Sequence, residues 1–174
     1  MSLGRLGPYR LEAELGRGGM GAVYRAFDER LGEQVALKRA WIDTPETRRR
    51  LLAEADLQRR ALSRAVVGVL DVCEEEGTPL LVLELCEGGS LELLVDEPAP
   101  AEEIVGHGLA ALDALAAVHS AGLVHRDVKP SNLLLDGAGR ARLTDFGLAL
   151  EQAAGIPPHE EGFLVGTPRY MAPE

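Results

Sequence analysis

His125-Arg126-Asp127-Val128-Lys129-Pro130-Ser131-Asn132, followed a short way downstream by Asp145-Phe146-Gly147, is the stretch on which the reading of this chain turns. Between the two runs lie apolar residues 133–135, glycines at 137 and 139, and residues 142–144, a pattern that predicts a short hairpin. Its return leg brings Asp145 back toward Asn132. Carboxylate and amide oxygens are hard donors suited to a small divalent cation. A further carboxylate, Asp127, has the chemistry to accept or orient a hydroxyl proton. One aspartate in a loop is ordinarily a turn residue or a helix cap. The complete ordered string is far harder to reach by chance.

The composition sharpens this. Of 18 basic residues only Lys38 and Lys129 are lysines, and Asn132 is the sole asparagine. Arginine serves wherever a cation was merely wanted, whereas a compact ammonium and a neutral amide oxygen do jobs that a planar guanidinium cannot. Lys38 ends the strand-like run Val35-Ala36-Leu37-Lys38. From there it has the reach to pair with nucleotide α- and β-phosphates, held by a carboxylate of the following helix, for which Glu54 is the best candidate. A strand lysine is otherwise a solvated edge residue. Upstream, Gly16-x-Gly18-x-x-Gly21-x-Val23 is weak by itself, because dinucleotide-binding folds share the spacing. In those folds the glycines open a helix. Here residues 22–27 read as a strand, so the glycines form a hairpin turn whose backbone meets phosphate with no Cβ in the way. An ordinary glycine-rich turn is the plain alternative.

With 174 residues, 46% hydrophobic and 26% charged, the chain is long enough to bury a core. A formal net charge of −10 weighs against nucleic acid or an anionic membrane as a partner. Arg48-Arg49-Arg50 and Arg59-Arg60 read as the solvated face of a helix. Cys73 and Cys86 show neither metal spacing nor a disulfide framework, which suits a reducing cytoplasm. No signal-peptide pattern opens the chain. The most apolar long stretch, 104–124, is interrupted by His107, Asp113 and His119, so it reads as a buried helix and not as a membrane span.

Strands are expected at 9–15, 22–27, 34–39, 66–73 and 80–85. A helix is expected from Pro45, capped by Thr44, to about Ser63. Glu87-Gly88-Gly89-Ser90 connects this strand-rich half to a helix-rich one. The best helix covers 101–122, with Val105, Leu109, Leu112, Leu115 and Val118 at helical spacing and Gly122 as its stop.

The glycine loop, strand lysine, His-Arg-Asp loop, Asp-Phe-Gly and Ala172-Pro173-Glu174 stand in the order found in eukaryotic-type (Hanks-type) serine/threonine protein kinases, a family also present in bacteria. The chain resembles that family over essentially its whole length. Lys129 and Gly166-Thr167-Pro168-x-Tyr170 resemble the serine/threonine rather than the tyrosine kinases. The resemblance implies an α+β, bilobal protein-kinase fold, with an ATP-binding N-lobe over 1–86 built of an antiparallel sheet plus one helix. It implies a C-lobe over 87–174 with the catalytic loop and activation segment. ATP and Mg2+ are the implied cofactors, and Ser/Thr hydroxyls of protein substrates the implied acceptors of the γ-phosphoryl group. Asp127 would orient the nucleophile, Lys129 stabilise the transferring group, Asn132 and Asp145 hold the metal, and Lys38 with Glu54 place the phosphates. Leu15, Val23, Ala36 and Leu134 would sandwich adenine, with Leu83 as gatekeeper and the backbone from Glu84 to Cys86 as hinge.

The chain also departs from the family. Family domains continue past Ala-Pro-Glu with helices that floor the C-lobe, so an incomplete helical C-lobe is expected, from a truncated product, a split domain or a fragment, with the 101–122 helix losing its main packing partner and exposing an apolar face. A partner chain is one source of the missing helices. Arg126 beside Asp127 marks kinases whose loop is ordered by a phosphate. No Ser, Thr or Tyr falls between Gly147 and Gly166, and Glu161 is the expected stand-in, with a solvated acidic loop as the plain alternative. Gln58 occupies a place where the family puts an apolar residue; either Leu57 takes that role or the lobe packs less tightly. Two rivals remain: a non-catalytic ATP-binding or interaction module, and a small-molecule phosphotransferase such as an aminoglycoside kinase.

Overall fold

The structure, a computed structural model, describes residues 3–18, 21–42, 44–75, 77–95, 98–154 and 165–173. Glu161, the expected phosphate stand-in, lies outside them. The chain divides into two units, Met1–Ala55 with Gly68–Leu85, and Asp56–Val67 with Cys86–Glu174.

Six antiparallel strands form the first unit: β1 (Gly4–Leu6), β2 (Tyr9–Arg17), β3 (Gly21–Asp28), β4 (Glu33–Ala40), β5 (Val69–Glu75) and β6 (Thr78–Glu84), in the order β1-β2-β3-β4-β6-β5. Alternation along the pleat sorts each strand's side chains. Val35 and Leu37 of β4 enter a core with Leu6, Tyr9, Leu11, Ala26, Leu80 and Val82, which leaves Ala36 and Lys38 on the opposite face. Each such aliphatic side chain contributes about 1.5–3 kcal/mol when fully buried. Tyr9 is buried too, and its hydroxyl accepts from Arg30, which is ion-paired to Asp28 at 2.8 Å. Helix α1 (Pro45–Arg60) starts as the sequence suggests: the Thr47 amide donates to Thr44 Oγ1 at 3.1 Å, satisfying one of the orphan donors of its first turn. It ends at Arg60, short of Ser63.

In the second unit, α2 (Ala101–Ser120) stops at Gly122, whose φ of +72° a residue with a Cβ adopts poorly. Four short strands follow as two antiparallel ladders, β7 (Leu123–Val124) with β10 (Leu150–Glu151), and β8 (Leu133–Leu135) with β9 (Ala141–Leu143). The core joins Ala61, Val66, Ala114, Val118, Leu123, Leu133, Leu143, Phe146 and Ala149.

Two expectations need correction. Residues 66–68 do not belong to β5: Val66 bridges Leu143, and the Val67 amide donates to the Leu143 carbonyl at 2.9 Å, so Val66 and Val67 serve the second unit's core. Helix α2 is not the buried helix its apolar run suggests, and instead exposes an apolar face, as the family pattern implies. Ala114 and Val118 face the core, whereas Ile104, Val105, Leu109 and Leu112 are exposed by 58–62%. Among the described residues, no helix is long and apolar enough to cross a membrane.

Candidate active site

The first unit supplies an ion pair. Strand register places Lys38 beside Val23 of β3 and Leu81 of β6. Its Nζ lies 2.6 Å from Glu54 Oε1 on α1, and Glu54 is only 5% exposed. A carboxylate taken that far from water is costly unless paired, so each side chain fixes the other. Ala36 stands across from the buried Leu83 on the neighbouring strand. Glu84 turns its carboxylate back onto the Gly68 amide, 3.0 Å away, and its own amide donates to the Gly68 carbonyl. Leu15 is exposed, Val23 half-buried and Ala36 buried.

The three loop glycines are not equivalent. The Gly18 amide donates to the Gly21 carbonyl at 2.9 Å, closing the β2–β3 turn. A Cβ added at Gly16 or Gly18 would meet nothing within 4 Å, but one at Gly21 would lie 2.1 Å from the Arg39 carbonyl oxygen. Gly21 is therefore demanded by the close approach of β4. Gly16 and Gly18 leave open room for a ligand against the backbone.

The second unit centres on Asp127, 8% exposed. Thr167 Oγ1 donates to its Oδ1 at 2.6 Å, Lys129 Nζ approaches Oδ2 to 2.7 Å, and Asn132 Nδ2 donates to its backbone carbonyl at 2.8 Å and to Oδ2 at 3.2 Å. Lys129 also donates to Thr167 Oγ1 at 2.9 Å, closing a triangle. Burial opposes charge on Asp127, but the hydrogen bonds from Lys129 and Thr167, with the Lys129 charge, outweigh it and hold the carboxyl below the usual carboxylate range. The group is ionised at neutral pH.

The backbone here is bent to purpose. Arg126 and Asp145 both take φ of +64°, a left-handed conformation that ordinary side chains avoid at a cost of about 1–3 kcal/mol. Buried His125 anchors the loop: its Nδ1 accepts the Asp127 amide at 3.3 Å and its Nε2 faces the Thr144 carbonyl at 3.1 Å, so the proton resides on Nε2. Its ring meets Phe146 edge-on at 4.8 Å. Burial lowers the His125 pKa and keeps the ring neutral. Arg126 Nε donates to the Leu148 carbonyl at 2.7 Å. Gly166, with φ of +118°, passes so close to Arg126 that a Cβ would sit 2.7 Å from its carbonyl oxygen.

The β8–β9 ladder ends with the Thr144 amide on the Asn132 carbonyl at 3.0 Å, which sets Asp145 directly after a residue bonded to Asn132. Because the Asn132 amide nitrogen is committed to Asp127, its side-chain oxygen is the atom left with the chemistry to ligate a cation. Together with the Asp145 carboxylate this gives two hard oxygen donors, the kind of sparse set that suits Mg2+ shared with phosphates. A surface pocket beside Asp127 is bounded by Arg126 and Val128 on one side and by Thr167, Tyr170, Met171 and Ala172 on the other. The sequence reading singled out Thr167 only as part of a Gly-Thr-Pro run; its direct bond to Asp127 was not foreseen.

The first unit's strand lysine paired with a helix glutamate, and the second unit's aspartate held by lysine, threonine and asparagine ahead of Asp-Phe-Gly, are each features of the protein kinase domain family. Residues 9–174 match the protein kinase domain family, and the chain belongs to it. It is 40% identical over 171 residues to the serine/threonine-protein kinase PknL of Mycobacterium tuberculosis, covering 95% of this chain and 43% of PknL. It is 38% identical to the serine/threonine-protein kinase Pkn1 of Myxococcus xanthus, across 98% of this chain and 26% of that relative. It is 41% identical to the DNA damage-responsive serine/threonine-protein kinase RqkA of Deinococcus radiodurans, across 97% of this chain and 26% of that one. The chain thus spans less than half the length of these relatives. Its α+β fold is the protein-kinase fold.

Proposed function

We propose that this chain carries the ATP-dependent phosphotransfer core of a serine/threonine protein kinase, with residues 1–86 as its ATP-binding lobe and 87–174 as its catalytic lobe. The observation that carries the reading is the Asp127 carboxylate, ionised at neutral pH and gripped by Lys129, Thr167 and Asn132. A carboxylate so held is preorganised to orient a substrate hydroxyl and take its proton. Lys129, at the same carboxylate, stabilises negative charge on the transferring group. Lys38, steadied by Glu54, places the α- and β-phosphates. Gly16, Gly18 and Gly21 bring backbone to the phosphates, Gly21 through its packing on β4. Leu15, Val23, Ala36 and Leu134 hold the adenine, and the backbone at Glu84 and Cys86 serves as the hinge. Asn132 and Asp145 would hold Mg2+, which supplies charge neutralisation for the phosphates when bound.

The substrates in this reading are Ser/Thr-containing proteins, whose acceptor hydroxyl enters the pocket beside Asp127. Cys73 and Cys86 form no disulfide with each other, which fits a reducing cytoplasm. The exposed Ile104, Leu109 and Leu112 of α2 support a further set of helices covering that face, from this polypeptide or a partner chain. The same exposed face favours the second reading, a nucleotide-binding module without transfer. The deciding experiment is γ-phosphoryl transfer by the 174-residue chain to itself and to a generic basic protein, against Asp127→Asn. Transfer that vanishes in that variant while ATP still binds supports the kinase reading. ATP binding without transfer in the parent chain supports the second.

A further inference from the structure

We infer that Trp41 is a positioning residue for the glycine loop, holding it ready for the triphosphate of a nucleotide. The inference rests on the ATP-binding reading above. Trp41 is the chain's one tryptophan and follows β4 directly. It is 43% exposed, so burial in the core does not account for it. Among the described residues, its hydrogen bond and its cation contact both go to the end of β2 and the loop that follows. The indole Nε1 donates to the Gly18 carbonyl at 2.8 Å, and the ring face carries the Arg17 guanidinium, with Cζ 4.5 Å from the ring centroid. Arg17 is in turn held by Glu14, which accepts its Nε and Nη2 at 2.8 and 2.7 Å. The series Glu14, Arg17, Trp41, Gly18 therefore ties the end of β2 to the end of β4, the two strands flanking β3.

The consequence follows from glycine. Gly16 and Gly18 have open space around them, and residues of this kind lose the most backbone freedom when they close on a ligand. A bond that orders the loop beforehand removes part of that loss from the binding step. Trp41 takes a carbonyl oxygen, so the contact uses none of the backbone N–H groups that phosphates would need. The effect belongs to the phosphates alone, so adenosine is blind to it.

Trp41→Phe keeps a ring for Arg17 and deletes only the indole N–H, whereas Trp41→Ala deletes both contacts. Direct binding of Mg-ATP and of adenosine to the 174-residue chain, with a melting temperature for each variant, reads the result. Mg-ATP binding is expected to weaken by about 3–10-fold in Trp41→Phe, the equivalent of one neutral hydrogen bond, and further in Trp41→Ala, with adenosine unchanged. In the parent chain, Mg-ATP is expected to shift the tryptophan emission and adenosine to leave it alone. Arg17→Ala, which keeps the fluorophore, provides a second handle should Trp41→Ala fail to fold. Unchanged Mg-ATP affinity in the two Trp41 variants, or equal losses for Mg-ATP and adenosine, overturns the inference. A parent chain that binds neither ligand overturns the ATP-binding reading itself, and this inference with it.

Discussion

Thr167 Oγ1 donates to Asp127 Oδ1 at 2.6 Å, and Lys129 Nζ reaches both, 2.9 Å from the hydroxyl and 2.7 Å from the other carboxylate oxygen. Thr167 thus orients the carboxylate through the oxygen that Lys129 leaves uncovered. A hydrogen bond to a charged group is worth about 1.5–3 kcal/mol, or roughly tenfold and upward in a rate if the geometry matters only in the transition state. Thr167→Ala is expected to lower transfer at saturating ATP by at least about tenfold while leaving ATP affinity unchanged, and Thr167→Ser to restore most of it. Equal kcat for Thr167→Ala and the parent chain would show that Lys129 and Asn132 orient Asp127 without it.

The Lys38–Glu54 pair makes a prediction about stability that needs no assay of transfer. Glu54 is almost fully buried, so Lys38→Ala deletes the ammonium that neutralises it, at a cost of about 3 kcal/mol. Replacing both groups by apolar ones, Lys38→Met with Glu54→Leu, is expected to recover much of that loss, because neither desolvated charge remains. Urea unfolding of the single and double variants measures the coupling. Losses that simply add would mean that the two groups are not energetically paired.

His125 gives the chain an acid-sensitive core. Its folded pKa is lowered by burial, so the unfolded chain, where the ring titrates near its ordinary 6.5, binds a proton that the folded chain refuses. Stability from this group is therefore complete above about pH 6.5 and is lost as pH falls below it. Asp127 has the same sign but acts lower, since its depressed carboxyl loses its advantage only as pH drops below about 3.8. Denaturant unfolding at pH 7.5, 6.5 and 5.5 should show a decline that His125→Gln flattens. A slope unchanged by that substitution would assign the acid limb to other groups.

The order of motifs was legible because each needs particular chemistry at a particular place. The lysine in Val35–Lys38, the glycine hairpin and the Asp127-to-Asp145 string all stand on the elements that the pattern implied. The strand pairings, by contrast, could not say which glycine answered to packing, since the clash of a Cβ at Gly21 with the Arg39 carbonyl depends on register and not on spacing. The Val66–Gly68 segment was misjudged for a similar reason: an apolar run reads as a strand whether it extends β5 or bridges Leu143. At Gln58 the sequence offered two alternatives, Leu57 in the apolar role or a less tightly packed lobe. Gln58 is buried and donates to the Val67 carbonyl at 2.7 Å, while Leu57 packs on the second unit's core, so both residues face inward. Helical periodicity found α2 but not its buried side, because both of its faces are apolar.

That last ambiguity is testable. Leu109 and Leu112 are exposed on α2, whereas Val118 is fully buried between Ala114, Leu123 and their neighbours in the core. Substitutions at exposed positions usually change stability by less than about 0.5 kcal/mol, whereas a charge placed in a core is among the large destabilisers. Leu109→Glu with Leu112→Glu is expected to leave the melting temperature of the 174-residue chain nearly unchanged. Val118→Glu should unfold the second unit. If the double Glu variant melted well below the parent chain, the outer face of α2 would be a packed surface within this chain, and the case for further helices covering it would fail.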